Sequence, residues 1–445
     1  MKEIFFTLGF IFIFLGGILA ASFGAAADFL SDCFLNNPGS LHYSFFNGFY
    51  LKTIEDFKQD LISENESFLE VNLSEMKVKA YRAGALFKEF AVLAKGDVET
   101  WGGSALGFYK VIGGNEFGYS GISEVYMPYS LHYYGKYYIH GEPYYPNGDD
   151  LISSVSGGCI RLSTKDAEEV YEFAEIGMPL LVLAGEKDRP TFIDSESSEL
   201  NNVSAESYLA ADLVSGFVFS EKDPKEQLHA SSVAKLMTAL VVAENVDLGK
   251  SITVNSEMLQ AYGSTKGLKE GESFRVVELL YPLLMESSND AAQVLSGFLG
   301  KIRTVEMMNE KTKSMLMENS RFVDSHGFGL ENVSCAQDMF QMARYLFFTK
   351  PPLLEITKGK EVRSFGGISF DIEEMANENV FFKDPDFIGG KAGYSGSTGD
   401  SGLFIFRIPL KGEERVVAIA LLGSKDLKGD TQKIYQWVGE NYSVF

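Results

Sequence analysis

Two groups of residues have the types and spacing that acyl transfer requires. Cys159 lies in SVSGGCIRLS, just after a glycine pair and two residues before Arg161, and His140 stands upstream in YYIHGEPYY. A thiolate nucleophile needs a base to take its proton and a positive or open surrounding that lowers its pKa, which His140 and Arg161 are suited to provide. Glycines let backbone N–H groups approach a carbonyl and hold a developing oxyanion. Taken alone, one cysteine with one histidine is more often core packing, and His132 is a competing histidine. The second group is Ser232 and Lys235 in HASSVAKLMTALVV. Three residues apart at the start of an apolar helix, they share a face. A lysine kept neutral in an apolar site can deprotonate the serine, and the helix N-terminus stabilises the oxyanion. The same S-x-x-K spacing at Ser74 and Lys77 falls in strand-like sequence, where it means nothing. Discrimination comes from ordered companions: Ser287, Ser288 and Asn289 in LLMESSNDAA, and Lys391, Ala392 and Gly393 in GGKAGYSGSTGDSG.

The elements that must position these groups follow from periodicity. A helix is expected over 53–63, with Ile54, Phe57, Leu61 and Ile62 on one face, then strand, turn, strand over 68–96 with Arg82, Ala83 and Gly84 at the turn. Eight of the 21 tyrosines crowd between Tyr126 and Tyr145, which strand preference explains before any role in a cleft. A helix over 163–176 has Ser163 as its N-cap and Asp166 in its first turn. Residues 185–205 are polar, acidic and without period, and are expected to form a flexible linker between two independently folding units. Beyond it come a hairpin near 214–216, helices over 233–244, 275–285 and 336–347, strands over 403–408 and 416–422, and a last helix ending near Tyr442. Strands at both ends with helices between predict an α+β layer whose ends share one sheet. The short tail after the last strand predicts no additional C-terminal domain.

Composition narrows the class. The chain has 445 residues with 39 basic and 61 acidic side chains, a net charge of −22 that disfavours nucleic-acid binding. Three cysteines, Cys33, Cys159 and Cys335, are too few and too scattered for a disulfide scaffold or a four-ligand zinc site. No metal or cofactor is expected. The apolar run from Ile4 to Ala21, after Lys2 and before Ala25, Ala26 and Ala27, reads as an export leader, either a cleaved signal or a retained membrane anchor.

The HG of His140 and Gly141, the SGGCIRL block and the upstream FLEVNLSEMKVKAY strands together resemble the L,D-transpeptidase catalytic domain. The resemblance implies Cys159 as nucleophile, His140 as base and the Gly141 carbonyl as the group that orients the imidazole. Ser156, Gly158 and Arg161 are implied on the substrate side and in the frame of the motif. Gly157 stands where many members carry a second histidine. The three boxes around Ser232, Ser287 and Lys391 resemble the penicillin-binding D-alanyl-D-alanine carboxypeptidases. That resemblance implies Ser232 as the acylated nucleophile, Lys235 as its base, Ser287 as a proton relay and Asn289 as a substrate-amide contact. Lys391 is implied as the anchor for a carboxylate terminus, Gly393 as part of the substrate-binding strand, and the N–H groups of Ser232 and Tyr394 as the oxyanion hole. His326 resembles a structural turn of the same family. Ala234 and Ala392 replace the usual threonines, and a lost hydroxyl at 392 is expected to weaken the grip on a substrate carboxylate.

The expected fold is therefore multidomain: a mainly-β L,D-transpeptidase domain followed by an α+β serine D,D-peptidase of β-lactamase-like type. Its segments are a leader (1–27), a helical pre-domain segment (28–65), the cysteine domain (66–186), a linker (187–202) and the serine domain (203–445). The implied protein is an exported, bifunctional peptidoglycan enzyme of the cell envelope, with stem peptides as partners and β-lactams as inhibitors. The alternative is an L,D-transpeptidase joined to a weakened, wall-binding serine domain. A β-lactamase is less well supported, because no deacylating base stands out.

Overall fold

The computed structural model describes residues 51–185, 190–194, 199–260, 268–362 and 368–444. The leader, Cys33 and parts of the expected linker lie outside the described residues. Helix α1 (Ile54–Ser63) starts where Asp56 accepts the Thr53 N–H at 2.8 Å. Strands β1 (Phe68–Asn72), β2 (Lys77–Arg82) and β3 (Ala85–Ala91) form a meander whose second turn places Ala83 and Gly84 at positive φ. After β4 (Gly107–Lys110) come β5 (Gly113–Ser120), β6 (Val125–Tyr134), β7 (Tyr137–His140) and β8 (Ile160–Arg161). Helix α2 (Thr164–Phe173), capped by the Ser163 hydroxyl, leads to β9 (Pro179–Leu183). One sheet has the order β3-β2-β1-β9-β4 and the other β5-β6-β7-β8, with β7 and β8 parallel.

The second domain opens with a departure from the linker expectation. Strand β10 (Phe192–Asp194) sits inside the expected linker, where it pairs with the last strand of the chain. Strands β11 (Ser207–Asp212), β12 (Val218–Lys222) and β13 (Leu228–His229) precede a 3-10 turn, Ser231–Val233, and helix α3 (Ala234–Asn245). The hairpin β14 (Ser251–Thr253) and β15 (Ser273–Arg275) is followed by α4 (Val276–Leu284), α5 (Asn289–Leu299) and α6 (Lys301–Ser314). Then come β16 (Val333–Ser334), α7 (Ala336–Thr349), α8 (Pro351–Thr357), β17 (Phe387–Gly393), β18 (Asp400–Pro409), β19 (Glu414–Ser424), α9 (Leu427–Asn441) and β20 (Tyr442–Val444). The main sheet has the order β12-β11-β19-β18-β17, so early and late strands share it. The buried Cys335 caps α7, its sulfur accepting the Asp338 N–H at 3.4 Å.

Alternation sorts the residues of that sheet. Leu403, Ile405, Ala418 and Ala420 join the helices on one face, whereas Phe404, Phe406, Ile419 and Leu421 meet Ile434 and Val438 of α9 on the other. With both faces covered, the central strands read as continuous apolar runs. Helix α3 is buried from Ala234 to Glu244 on every side, as a helix apolar around its whole circumference must be.

The two domains do not behave as beads on a flexible tether. Leu69, Tyr137 and Val182 of the first and Leu236, Leu240 and Leu346 of the second belong to one continuous apolar core. In the seam, Glu244 and Lys311, both fully buried, pair at 2.8 Å. Lys311 also donates to the hydroxyls of Tyr109 (3.0 Å) and Tyr345 (2.7 Å), and the Tyr345 hydroxyl donates to Glu244. Tyr134 offers its ring to the same ammonium at 4.4 Å. The crowded tyrosines Tyr133, Tyr134 and Tyr137 are thus seam residues, in line with the structural explanation of their density. Burial draws the Lys311 amine down to about 8 against the attraction of Glu244.

A buried pair contributes little net stability, but removing one partner strands the other and costs about 3–5 kcal/mol. One tryptophan lies in each domain, Trp101 and Trp437. Urea unfolding followed in Trp101→Phe and Trp437→Phe variants should give coincident midpoints, and Lys311→Met should lower both by the same amount. Separate transitions for the two tryptophans would contradict a shared core.

Candidate functional site

The serine site is assembled where three backbone segments meet. Ser232 sits in the 3-10 turn and Lys235 in the first turn of α3, and Lys235 Nζ lies 3.0 Å from Ser232 Oγ. Lys235 also donates to the His326 carbonyl at 2.7 Å. That carbonyl is presented by a turn wound on Asp324, whose carboxylate accepts the N–H groups of His326 (3.0 Å), Gly327 (2.6 Å) and Gly329 (2.8 Å). Gly327 allows the approach: at φ +79, a Cβ there would lie 1.9 Å from the Ser231 carbonyl oxygen. Lys235 is fully buried, and burial, with Lys391 nearby, pulls its amine well below the ordinary lysine range despite the pull of Asp324. A neutral amine has the lone pair that can take the serine proton.

Strand β17 forms the opposite wall. A Cβ on Gly393 would lie 2.7 Å from the Ser232 nitrogen, so only glycine lets the strand pass so close. Lys391 is fully buried and donates to the Ala392 carbonyl at 2.8 Å. Tyr394 follows the strand with half its surface exposed. Ser287 adopts φ +57, a left-handed conformation rare for serine, just before Ser288 caps α5 and Asn289 opens it. Helix α5 packs on α3. Strand alternation corrects one expectation. Ala392 points away from Gly393 into the cluster that holds Phe381, Phe387 and Phe404, so a hydroxyl at 392 would enter an apolar core.

Four residues of this site escaped the sequence reading: His229, Ser231, Asp324 and Thr398. His229 Nδ1 lies 3.1 Å from Thr398 Oγ1 and 3.2 Å from Ser231 Oγ, which ties the serine turn to the β17–β18 connection. Asp324 organises the turn that holds Lys235. Its signal was available as an Asx turn in the VDSHG segment.

The cysteine site lies on the β7–β8 pair. His140 is level with Arg161 in the parallel register, so the two share a face, and Cys159 stands just ahead of β8. His140 is buried and its Nδ1 is 2.6 Å from the Gly141 carbonyl, which fixes the proton on Nδ1 and leaves Nε2 as the basic nitrogen. Gly158 has φ +121 and a Cβ there would strike the Tyr137 ring at 2.3 Å, whereas at Gly157 nothing lies within 4 Å. Ser156 is committed to the loop: its hydroxyl donates to the Cys159 carbonyl at 2.5 Å and accepts the Gly158 N–H at 3.1 Å. Its hydroxyl proton is thus committed to the frame of the loop. Arg161 donates to the Ser153 carbonyl at 2.8 Å.

The thiol is not held as a thiolate. Burial pushes Cys159 up to about 11, overriding the Tyr138 N–H, Lys136 and Arg161, all of which favour the anion. Burial, with Arg161 beside it, lowers the His140 imidazole to about 4 although the Gly141 carbonyl favours its protonated form. The expectation of a lowered thiol pKa therefore fails, because desolvation exceeds the benefit of the neighbouring cations. Among the described residues no group of three or more His, Cys, Asp or Glu side chains is placed to hold a metal ion. Iodoacetamide modification of Cys159 in the native protein should rise steadily from pH 7 to pH 10, following the thiolate fraction. A plateau reached below pH 8 would show a low-pKa thiol and contradict this geometry.

Residues 194–422, just over half of the chain, match the family model described as D-alanyl-D-alanine carboxypeptidase. Residues 66–182 match that of the L,D-transpeptidase catalytic domain. The D-alanyl-D-alanine carboxypeptidase DacD of Salmonella typhimurium is 24% identical over 259 residues, covering 54% of this chain and 64% of its own length. DacF of Bacillus subtilis, another D-alanyl-D-alanine carboxypeptidase, is 27% identical over 248 residues, covering 52% and 60%. The chain spans somewhat less than two thirds of the length of these relatives. A solved D-alanyl-D-alanine carboxypeptidase from Mycobacterium tuberculosis is 25% identical, with 55% of this chain and 94% of that chain covered at a TM-score of 0.48. The chain belongs to the D-alanyl-D-alanine carboxypeptidase family, and ahead of that domain it carries an L,D-transpeptidase catalytic domain.

Proposed function

We propose that this chain is an exported, bifunctional peptidoglycan enzyme in which Ser232 removes the terminal D-Ala of stem pentapeptides and Cys159 forms L,D cross-links from the resulting tetrapeptides. The observation that carries the reading is the 3.0 Å contact between Ser232 Oγ and the buried Lys235 amine, in the same compact unit as His140 on β7 and Cys159 just ahead of β8. In the serine half-reaction, Ser232 Oγ attacks the peptide carbonyl as its proton passes to Lys235 Nζ. Collapse of the tetrahedral intermediate expels D-Ala, which takes a proton relayed through Ser287, and water then cleaves the ester. The N–H groups of Ser232 and Tyr394 receive the oxyanion, Asn289 the substrate amide and Lys391 the terminal carboxylate.

In the cysteine half-reaction, the sulfur attacks the carbonyl preceding the last D-residue of the tetrapeptide while its proton moves to His140 Nε2. With the groups resting neutral, attack and proton transfer are concerted. The D-residue leaves with the proton, and an amine from a second stem resolves the thioester. Gly158 and Arg161 lie on the substrate side of this loop. The reading of a weakened serine domain rested on Ala392, and the orientation of that side chain, away from Ser232, gives it no support.

Digests of pentapeptide strands resolved by mass spectrometry test the proposal. The wild type should yield tetrapeptides and L,D cross-links, Ser232→Ala should yield neither from pentapeptides, and Cys159→Ala should yield tetrapeptides only. Cross-linking of pentapeptide stems by Ser232→Ala at the wild-type rate would overturn the relay. Lys235→Arg should lower β-lactam acylation of Ser232 by at least about 100-fold, because a guanidinium keeps the charge but cannot act as a base. Acylation close to the wild-type rate in that variant would remove Lys235 from the mechanism.

A further inference from the structure

We infer that Lys136 is a positioning residue for Cys159 and that the serine domain holds it in place, so that the cysteine site is complete only with the C-terminal end of α3 docked against it. The inference rests on reading Cys159 as a nucleophile, and it adds the serine domain to the machinery of that site. Lys136 lies in the tight turn between β6 and β7. Its Nζ donates to two carbonyls at the end of α3, Ala243 at 2.9 Å and Val246 at 3.3 Å. Helix-end carbonyls lack intrahelical partners and carry the negative end of the helix dipole, so an ammonium supplied by the other domain caps them. The preceding Gly135 is pressed onto the same helix end. At φ +47, a Cβ there would lie 2.8 Å from Asn245 Oδ1 and 2.9 Å from the Glu244 carbonyl oxygen.

The main chain of Lys136 reaches the other way. Its carbonyl accepts the Cys159 thiol at 3.7 Å, so one residue grips the helix with its side chain and the nucleophile with its backbone. The groups facing the sulfur are Lys136, Arg161 on β8, and the phenols Tyr133 and Tyr138. Those facing the Lys136 ammonium are Glu244 and Asp247 at the end of α3, Lys350 at the end of α7, and Cys159 itself. The ammonium is thus a cation of the cysteine domain that the serine domain holds in place, and its charge favours the thiolate that the reaction must form.

The test uses the full chain and reads alkylation of the Cys159 peptide by iodoacetamide from pH 7 to pH 10, which needs no peptidoglycan substrate. Lys136→Met should slow the reaction about three- to ten-fold near pH 7 by removing a nearby positive charge, and the difference should narrow toward pH 10, because burial draws the Lys136 amine below the ordinary lysine range despite Glu244 and Asp247. Lys136→Gln, which keeps a donor for the α3 carbonyls, should slow it likewise, and Lys136→Arg should stay within about twofold of the wild type. β-Lactam labelling at Ser232 should remain in all three, showing that the serine domain is folded. Unchanged or faster alkylation in Lys136→Met and Lys136→Gln would mean that the residue only packs the turn, and would overturn the inference. A wild-type chain that fails to cross-link stems but shows the slower alkylation in these variants would sink the transpeptidase reading and leave the positioning role standing.

Discussion

Helix α3 is buried on every side, and that burial sets the terms for both candidate sites. Water satisfies none of its polar groups, so each must find a partner in protein. At the start of the helix, Lys235 donates to Ser232 and to the His326 carbonyl, which aims it at the serine, while burial holds its amine well below the ordinary lysine range. At the end, Glu244 requires Lys311 and Tyr345, and the last carbonyls require Lys136 from the other domain. Twelve residues of helix rise about 18 Å, so one rigid element joins the two nucleophile neighbourhoods. A flexible linker is not needed to keep them close, because the shared core already does so.

Desolvation serves the two nucleophiles in opposite ways. For a lysine it disfavours the charged form and so creates a base at neutral pH. For a cysteine it disfavours the thiolate and so creates a resting thiol. The first outcome readies Ser232, whereas the second leaves Cys159 dependent on substrate, on His140 Nε2 and on the surrounding cations. The same constraint explains the glycines. Gly158, Gly327 and Gly393 stand where backbone must pass within van der Waals contact of Tyr137, Ser231 and Ser232, and no side chain fits.

Much of this was legible in the sequence where chemistry is local. The Ser232–Lys235 spacing put both groups on one helical turn, and the HG pair anticipated the contact between His140 and the Gly141 carbonyl. Ser163 as an N-cap and the turn at Ala83 and Gly84 followed from propensity. Other features depend on partners far away in the chain. Helix α6 was missed because its core face carries Lys311, which makes sense only beside Glu244 and the seam tyrosines, and Thr304 and Thr312, whose hydroxyls are spent on nearby carbonyls. The linker reading missed β10 because its partner, β20, lies some 250 residues away. The roles of Ala392 and Ser156 turned on side-chain direction and on hydrogen bonds already taken, and composition carries neither.

The central claim is that one chain presents two acylable nucleophiles, and intact-protein mass spectrometry after exposure to a carbapenem tests it most directly. A species carrying two drug masses, with one adduct on the peptide holding Ser232 and the other on the peptide holding Cys159, is the expected result. A single adduct at saturating drug, confined to either peptide, would contradict the claim and leave the chain with one working site.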